Sequence, residues 1–185
     1  EGKPAGAGWH ILVNNTGGPS PGLLTEATAE QFRLAFEMQL VCAHHLVQVC
    51  LPAMRAARYG RIVNIISTSV KQPIPNLGVS NTVRGAVAQW AKTLAGELGP
   101  LGITVNNVLP GYTETERLAA LVKNKAASSG ATEARITADL VQSIPAGRFG
   151  RADEVGAAVA YLASPAGAYI NGVNLPVDGG RLGTL

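Results

Sequence analysis

Runs of apolar residues alternate along the chain with longer segments in which apolar residues recur at helical spacing. The first run is HILVNN at residues 10–15, and residues 62–66 form a second run that only Asn64 interrupts. Such runs are typical of strands that are covered on both faces. Two later runs, at 103–109 and at about 171–177, have the same character. The alternation predicts an α/β fold with one parallel sheet and helices on both of its faces.

Helices are predicted between these strands. A capping box at Thr28–Gln31 opens a helix that extends to about residue 58, in which Pro52 is expected to cause a bend or break and which Gly60 is expected to end. Residues 1–10 are expected to form a loop. The other helices are predicted at 79–98, at 114–143 with an interruption at 128–130, and at 152–163, where Asp153 and Glu154 suit the helix dipole.

Polar residues follow the predicted strands. Ser67 comes directly after the second strand, and loops that begin near Asn14 and Pro110 follow two others. Because ligands of open α/β sheets bind beyond the carboxyl ends of the strands, these positions are candidates for a site. Ser80 and Arg84 lie one helical turn apart on the next predicted helix and therefore share a face.

Composition and charge add mainly exclusions. The chain has 185 residues, of which 46% are apolar, and its net charge of +3 comes from scattered Lys and Arg residues. Without a basic cluster, nucleic-acid binding is not expected. Cys42 and Cys50 lie on one predicted helix and are expected to be reduced core thiols, with no metal site. No apolar run reaches about 18 residues, so no membrane contact is expected and a cytoplasmic location is predicted.

Four motifs resemble those of the short-chain dehydrogenases/reductases, which are NAD(P)-dependent enzymes with a Rossmann fold. The motifs occur in the family's order, and the resemblance extends from His10 to Gly180. They are most similar to the motifs of bacterial 3-oxoacyl-acyl-carrier-protein reductases. Residues 14–17 resemble the family's NNAG turn, 61–67 its GRIVNISS strand, 105–111 its VNxxxPG segment and 172–180 its closing GxxxxVDGG.

The resemblance implies a Rossmann-type doubly wound parallel sheet, NAD or NADP as cofactor, and a small carbonyl or alcohol substrate. It also implies a homodimer or homotetramer that forms through the two long helices and the last strand. The segment 114–143 is then the candidate lid over the substrate. The positions that match the family's cofactor-binding residues are Asn14, Thr16, Gly17, Arg84, Pro110, Gly111, Thr113 and Thr115.

The first departure from the family concerns what precedes Asn14. Family members begin with a strand, a glycine-rich TGxxxGxG turn and a helix, followed by two further strand and helix units, and none of these has a counterpart in the sequence. The turn that binds the cofactor pyrophosphate is thus absent from it, as are the residues that distinguish NAD from NADP. We expect one incomplete domain over 1–185, the C-terminal two-thirds of a Rossmann fold. Its first strand would then be an edge with apolar residues on both faces, unless a missing segment or another chain pairs with it.

The second departure concerns the catalytic group. The family uses a serine, a tyrosine and a lysine, the last two in Y-x-x-x-K, together with an asparagine on the preceding helix. Ser67 matches the serine. The tyrosine position falls on Ser80, the lysine position on Arg84 and the asparagine position on Gln39, so one of the four residues is retained.

These substitutions change the proton chemistry that the resemblance implies. One adjacent cation brings a phenol, with its ordinary pKa of about 10, toward neutrality, whereas the aliphatic hydroxyl of Ser80 starts far higher. Ser80 is also shorter than a tyrosine, which leaves room for a water or a larger substrate group. Arg84 can supply charge and two hydrogen bonds to ribose hydroxyls, but it does not relay a proton. Gln39 keeps an amide that can hold a water.

Each candidate also has a purely structural interpretation. Ser67 could satisfy local backbone groups, Ser80 could cap its helix, and Arg84 could form a surface ion pair. The loop at 110–115 could be an ordinary turn between a strand and a helix. An apolar stripe on the helix at 79–98 fits either a partner or the core, and it consists of Val83, Val87, Trp90, Ala91 and Leu94.

Two functional hypotheses remain open from the sequence. The first is an NAD(P)-dependent oxidoreductase in which Ser67, a water near Ser80, and Arg84 replace the usual group. The second is an inactive or weakly active homologue that serves as a cofactor-binding or oligomeric scaffold protein. A hydrolase built on His44 or His45 is disfavoured because the sequence has no G-x-S-x-G elbow.

Overall fold

One parallel sheet organises the molecule. A computed structural model describes residues 8–184, and within them four strands pair in the order β1-β2-β3-β4. The predicted α/β class and parallel sheet are confirmed, whereas the loop predicted at 1–10 lies outside the described residues as far as Ala7. The strands are β1 (Ile11–Asn14), β2 (Gly60–Ile65), β3 (Ile103–Pro110) and β4 (Asn174–Val177).

A helix that is continuous from Ala29 to Ala57 connects β1 to β2. The capping box predicted at its start is confirmed, since Thr28 Oγ1 accepts from the Gln31 N–H at 3.2 Å and Gln31 Oε1 accepts from the Thr28 N–H at 2.8 Å. The helix comprises α1 (Ala29–Phe36), a π-helical segment (Glu37–Val41) and α2 (Cys42–Ala57).

The helix continues through Pro52 without a break and ends at Ala57, close to the predicted residue 58, but Gly60 is not what ends it, so the predicted role of Gly60 is wrong. Pro52 lies inside α2 on an exposed side, where the carbonyl group that loses its N–H partner can meet solvent. The helix is capped by Arg58, whose left-handed conformation (φ 49°) lets its N–H bond back to the last turn. Gly60 instead opens β2, where a Cβ atom would lie only 2.7 Å from Met54 Sδ.

The remaining helices lie close to their predicted positions. The interruption predicted at 128–130 lies slightly later, because Ser128 and Ser129 still belong to the first helix and the turn begins at Gly130, which adopts a φ of 71°. The helices are α3 (Gly78–Leu98), α4 (Glu116–Ser129), α5 (Glu133–Gln142) and α6 (Ala152–Ala163). Short 3₁₀ turns lie at Leu24–Glu26, Thr68–Val70, Gly99–Leu101 and Pro165–Gly167.

Helices cover both faces of the sheet. Helices α2 and α3 pack on one face, where Met54, Ile62 and Ala91 are buried in a shared core. Helix α6 packs on the other face, where Leu162 contacts Val63. This three-layer arrangement directs the loops after the strands toward one edge, at the carboxyl ends of all four strands.

Packing within the chain accounts for most of the apolar stripe on α3. Val83, Val87 and Ala91 are each at most 2% exposed, so these three residues belong to the core. Trp90 and Leu94 are half-buried at its margin. The stripe therefore does not indicate a partner.

β1 lies at an edge of the described sheet. Ile11 is 48% and Val13 is 43% exposed, because α6 packs on β2, β3 and β4. An exposed apolar strand edge is uncommon in folded proteins.

The helix from Ala29 to Ala57 also bears on the expectation about membranes. By length and composition alone it could cross a membrane, and its most apolar 18 residues have a mean hydropathy of 1.3. The helix contains no unbroken apolar run of that length, because uncharged polar residues such as Gln39 and His44 interrupt the sequence. In the structure only 28% of this segment is buried, and Val47 and Met54 pack against the sheet. The absence of membrane contact stays a prediction.

The two cysteines differ in their environments. Cys50 is buried as predicted, whereas Cys42 is exposed, so the prediction of a core thiol is wrong for Cys42. Cys50 packs with Val47 and Met54 on the side of α2 that faces the sheet, whereas Cys42, the first residue of α2, lies outside that cluster. Burial raises the pKa of the Cys50 thiol. Among residues 8–184 no cluster of side chains has the composition of a metal site.

Candidate active site

Ser67 lies where the sequence placed it, directly after β2 at the carboxyl edge of the sheet. Its Oγ accepts a hydrogen bond of 3.1 Å from the Ser69 N–H and so starts the 3₁₀ turn Thr68–Val70. The structural role considered from the sequence is therefore present. Because an accepting hydroxyl keeps its own hydrogen, Ser67 can still donate to a substrate oxygen.

Ser80 lies in the first turn of α3 and is 8% exposed. The capping role considered for it is wrong, because the N-cap residue is Leu77, which makes no side-chain capping bond. Helix α3 begins one residue earlier than predicted, which places Ser80 inside it. Its hydroxyl makes no hydrogen bond within the described residues and is not among the fully buried polar atoms, so it keeps some access to solvent.

Arg84 follows one turn later on α3 and is 7% exposed. The surface ion pair considered for it is wrong, since no salt bridge in the described part of the chain involves this residue. Its guanidinium is instead held by backbone carbonyl groups. Nη1 donates to Ile65 O at 2.9 Å and Nη2 donates to Thr16 O at 3.4 Å. Arg84 thus ties α3 to the ends of β1 and β2.

The surroundings of Arg84 also affect its charge. Burial, followed by the charge of Arg117, lowers the pKa of Arg84 from its ordinary value to about 10. The group is therefore still protonated at neutral pH. Two of its five N–H groups are already used for backbone contacts, so fewer remain for a ribose than the sequence suggested.

Gln39 lies in the π-helical segment and is 4% exposed. Its Nε2 donates to Gly17 O at 3.3 Å, which links the long helix to the loop after β1. π-helical segments are rare and often occur at functional sites. No feature of the local sequence predicts this segment, because ordinary helix formers surround it.

A cavity of about 10 Å³ lies beside Arg84. Three buried polar atoms near it have no hydrogen-bond partner within residues 8–184, namely the donor Arg84 Nε and the acceptors Gln39 Oε1 and Asn14 Oδ1. One donor, two acceptors and this volume fit a single water molecule. The cavity therefore brings together predicted site residues from three separate segments. Its lining residues are Asn14, Thr16, Gln39, Asn64, Ile65, Ile66, Arg84 and Val87.

Asn14 is also the first member of a ladder of side-chain amides that crosses the sheet. Its Nδ2 donates to Asn64 Oδ1 at 2.8 Å. Asn64 then donates to Asn107 at 2.9 Å, and Asn107 donates to Asn174 at 2.7 Å. The four residues are register partners on the four strands. Asn14 therefore has a structural role that the motif alone does not indicate.

The loop after β3 holds the remaining predicted cofactor positions. Pro110 ends β3, and Gly111 packs so closely on β4 that a Cβ atom would lie 2.7 Å from Asp178 Cα. Thr113 Oγ1 donates to Gly111 O at 3.3 Å. Thr115 caps α4 by accepting from the Leu118 N–H at 3.4 Å, so this loop includes the ordinary turn that the sequence left open.

The candidate lid, residues 114–143, forms the hairpin of α4 and α5, and the chain at its start is bonded to Gly150, which follows its end. The Gly150 N–H donates to Tyr112 O at 2.9 Å, and the Glu114 N–H donates to Gly150 O at 2.8 Å. Glu154 then fixes the following turn through the Arg148 side chain at 2.6 Å and the Arg151 N–H at 2.7 Å. These bonds lower the pKa of Glu154 to about 2.

Sequence analysis missed Arg117, the second residue of α4. Its guanidinium crosses to the loop after β1, where a Cβ atom on Gly18 would lie 2.7 Å from Arg117 Nη2. The signal available in the sequence is a cation in the first turn of a helix, where the helix dipole disfavours positive charge. The ladder residues Asn64, Asn107 and Asn174 were missed as well, although each lies within one of the four motifs.

Comparison with known proteins shows which family the fold and the site represent. The family model described as Enoyl-(Acyl carrier protein) reductase matches residues 5–181. The chain belongs to the short-chain dehydrogenase/reductase family. A 3-oxoacyl-[acyl-carrier-protein] reductase of Vibrio cholerae is 37% identical over 175 residues, which cover 94% of this chain and 66% of the relative. This member of the family thus spans less than two thirds of that relative's length.

Solved structures of short-chain dehydrogenases/reductases have the same fold. The L-sorbose reductase of Gluconobacter frateurii, solved with NADPH and L-sorbose, has a TM-score of 0.89 at 30% identity, covering 96% of this chain and 68% of that one. A gluconate 5-dehydrogenase of Burkholderia cenocepacia, solved with NADP and tartrate, has a TM-score of 0.84 at 30% identity. The match covers 96% of this chain and 66% of that one. The predicted Rossmann-type sheet is therefore confirmed.

The donor set at the strand ends fits part of a nicotinamide dinucleotide. The hydroxyls of Thr113 and Thr115 and the guanidinium groups of Arg84 and Arg117 suit sugar hydroxyls, a carboxamide and phosphates. No carboxylate of the described residues forms a salt bridge with either arginine. The two guanidinium groups therefore remain available to an anionic ligand in this short-chain dehydrogenase/reductase.

Proposed function

We propose that the protein is an NAD(P)-dependent oxidoreductase that acts slowly on a small carbonyl or alcohol substrate. The observation that carries the proposal is the cavity that Asn14, Gln39 and Arg84 share. Three positions that the family resemblance assigns to the cofactor and catalytic group meet there, although they belong to separate segments. The retained Ser67 lies two residues beyond Ile65, the residue to which Arg84 bonds.

Each residue has a task that its contacts permit. Ser67 donates a hydrogen bond to the substrate oxygen while the Ser69 N–H fixes its Oγ. Arg84 keeps the end of β2 in position and supplies positive charge, and Gln39 positions the loop after β1 through Gly17. A bound nicotinamide supplies or accepts the hydride. The proton of the substrate oxygen is exchanged with water near Ser80, because no described residue replaces the family's phenol at that position.

A second candidate function is cofactor binding without turnover, as a scaffold or sensor protein. Two observations favour it. Arg84 donates two N–H groups to backbone carbonyls, and Ser80 carries an aliphatic hydroxyl in place of a phenol, so neither can act as the family's lysine and tyrosine do. Ser67 argues for the first candidate, since its donor capacity remains unused.

Cofactor titration and hydride transfer separate the two candidates. In the full-length protein we expect binding of NADPH or NADH by fluorescence, and slow transfer of deuterium from 4-deuterated cofactor to a panel of small ketones. Ser67→Ala should abolish the transfer and leave binding intact. Binding without deuterium transfer would support the second candidate, and absence of binding would overturn both.

The assembly and the lid form part of the same proposal. We propose that a homodimer forms through the exposed apolar side of the π-helical segment and α2, which includes Met38, Leu46 and Val49 with exposures of 51%, 43% and 71%. The hairpin of α4 and α5 acts as the lid over the substrate, in a cytoplasmic protein. Light scattering of the full-length protein tests the dimer, and Leu46→Glu should convert it to a monomer.

A further inference from the structure

Arg117 makes a contact that the fold itself does not require. It extends from α4, after β3, to the loop after β1, and the absence of a side chain at Gly18 gives its guanidinium room. The neighbouring Gly17 has no heavy atom within 4 Å of an added Cβ, so the space beside this loop is open. Arg117 therefore bridges the two strand ends that border the proposed cofactor cleft.

The electrostatic surroundings of Arg117 are unfavourable for a cation. It lies in the first turn of α4, where the helix dipole repels positive charge. It is also near enough to Arg84 for its charge to help lower the pKa of that residue. Neither arginine forms a salt bridge within the part of the chain that the structure describes. Two like charges, one buried and one exposed, thus lie near each other without a carboxylate of the described residues in salt-bridge contact.

A ligand that carries negative charge would remove this repulsion. The positions on either side of Arg117 are Thr16 and Gly17 on one strand end and Thr113 and Thr115 on the other, all of them proposed cofactor contacts. A dinucleotide that extends between these strand ends carries its bridging charge on its pyrophosphate. The planar guanidinium of arginine matches two phosphate oxygens at once.

We infer that Arg117 binds the pyrophosphate of the dinucleotide and closes the cleft over it from the lid side. This inference rests on the proposed function, because it requires a nicotinamide dinucleotide in the cleft. Arg117, at the start of the candidate lid, would thus be a further side chain that binds the cofactor phosphates. Lid position and cofactor binding are thereby coupled through one side chain.

Calorimetric titration of the full-length Arg117→Gln variant with NADPH, NADH and ADP-ribose tests the inference. All three ligands share the pyrophosphate, so we expect each to bind about tenfold more weakly, with a shallower dependence on salt. Arg117→Lys should recover part of the affinity. Arg33→Gln, which removes an exposed charge on α1, is the matched control and should bind as the parent does.

Each other outcome has a distinct meaning. Equal affinities of the parent and Arg117→Gln would overturn the inference and leave the proposed function standing. Loss confined to NADPH would also overturn it, since the ribose phosphate would then be the partner. An unchanged cofactor affinity with a raised KM for acidic substrates would assign Arg117 to the substrate instead. If the parent binds none of the three ligands, the proposed function itself fails.

Discussion

The guanidinium of Arg84 donates a hydrogen bond of 2.9 Å to the carbonyl oxygen of Ile65, the last residue of β2. In the family that this chain resembles, a lysine occupies this position and serves the cofactor and the catalytic tyrosine. Here the longer, forked side chain turns toward the backbone at the strand end. The contact explains how a buried cation persists without a carboxylate, and it makes Arg84 a structural residue as well as a site residue.

Replacing Arg84 by Met should destabilise the protein. The carbonyl groups of Ile65 and Thr16 would lose their donors, which we expect to lower the free energy of unfolding by about 1–3 kcal/mol. Lys92→Met is the matched control, because Lys92 lies on the same helix and donates to Gly172 O from an exposed position. Its effect should stay within about 0.5 kcal/mol in urea unfolding. Equal effects of the two variants would contradict the structural role of Arg84.

Restoring the family's pair tests the geometry of the site. We expect the double variant Ser80→Tyr, Arg84→Lys to reduce ketones faster than the parent, since it supplies a phenol beside a cation. NADPH oxidation with a ketone panel measures the gain. Ser80→Phe, Arg84→Lys lacks only the hydroxyl and should show no gain. If the first variant folds, as judged by circular dichroism, and turnover does not rise, the positions assigned to the tyrosine and lysine are wrong.

Replacing Asn64 by Ala should interrupt the amide ladder. Asn14 Nδ2 and Asn107 Oδ1 would lose their partners in a buried layer, so we expect unfolding to become easier by about 2–4 kcal/mol. The melting temperature should fall by about 2–4 °C for each kcal/mol in a chain of this size. Asn124→Ala, at an exposed position of α4, is the control. A change in Asn64→Ala no larger than in this control would mean that the ladder contributes nothing to stability.

Acid should weaken the anchor of the lid. The Glu154 carboxylate accepts hydrogen bonds from the Arg148 side chain and from the Arg151 N–H. These bonds, the first more than the second, lower the pKa of Glu154 from 4.5 to about 2 in the folded protein. A lowered pKa stabilises the fold at pH values above 4.5, and this contribution is lost as the pH falls from 4.5 toward 2. Urea unfolding between pH 6 and pH 2.5 measures the loss. Glu154→Gln should show a flatter pH dependence, and an unchanged slope would contradict the role of the carboxylate.

The sequence by itself determined the order and type of the elements. Short, β-branched apolar runs such as 62–66 indicated covered strands, and the capping box at Thr28 marked a helix start because both of its bonds are local. The local rules failed at Pro52 and Gly60. Pro52 is tolerated because it lies on an exposed side of the helix. Gly60 is needed in β2 because Met54 packs closely against it.

Only the tertiary structure decided how the site residues are used. The sequence placed Arg84 and Gln39 at the right strand end, but whether their side chains face a ligand, the backbone or a cavity depends on contacts with Thr16, Ile65 and Gly17 from distant segments. Register brought Asn14 and Asn64 together, and Arg117 reached Gly18 because two loops far apart in the chain end at the same edge of the sheet. The spacing of apolar residues in the sequence indicates which residues are buried. The hydrogen-bond partners of buried polar groups are set by the packing of the whole chain.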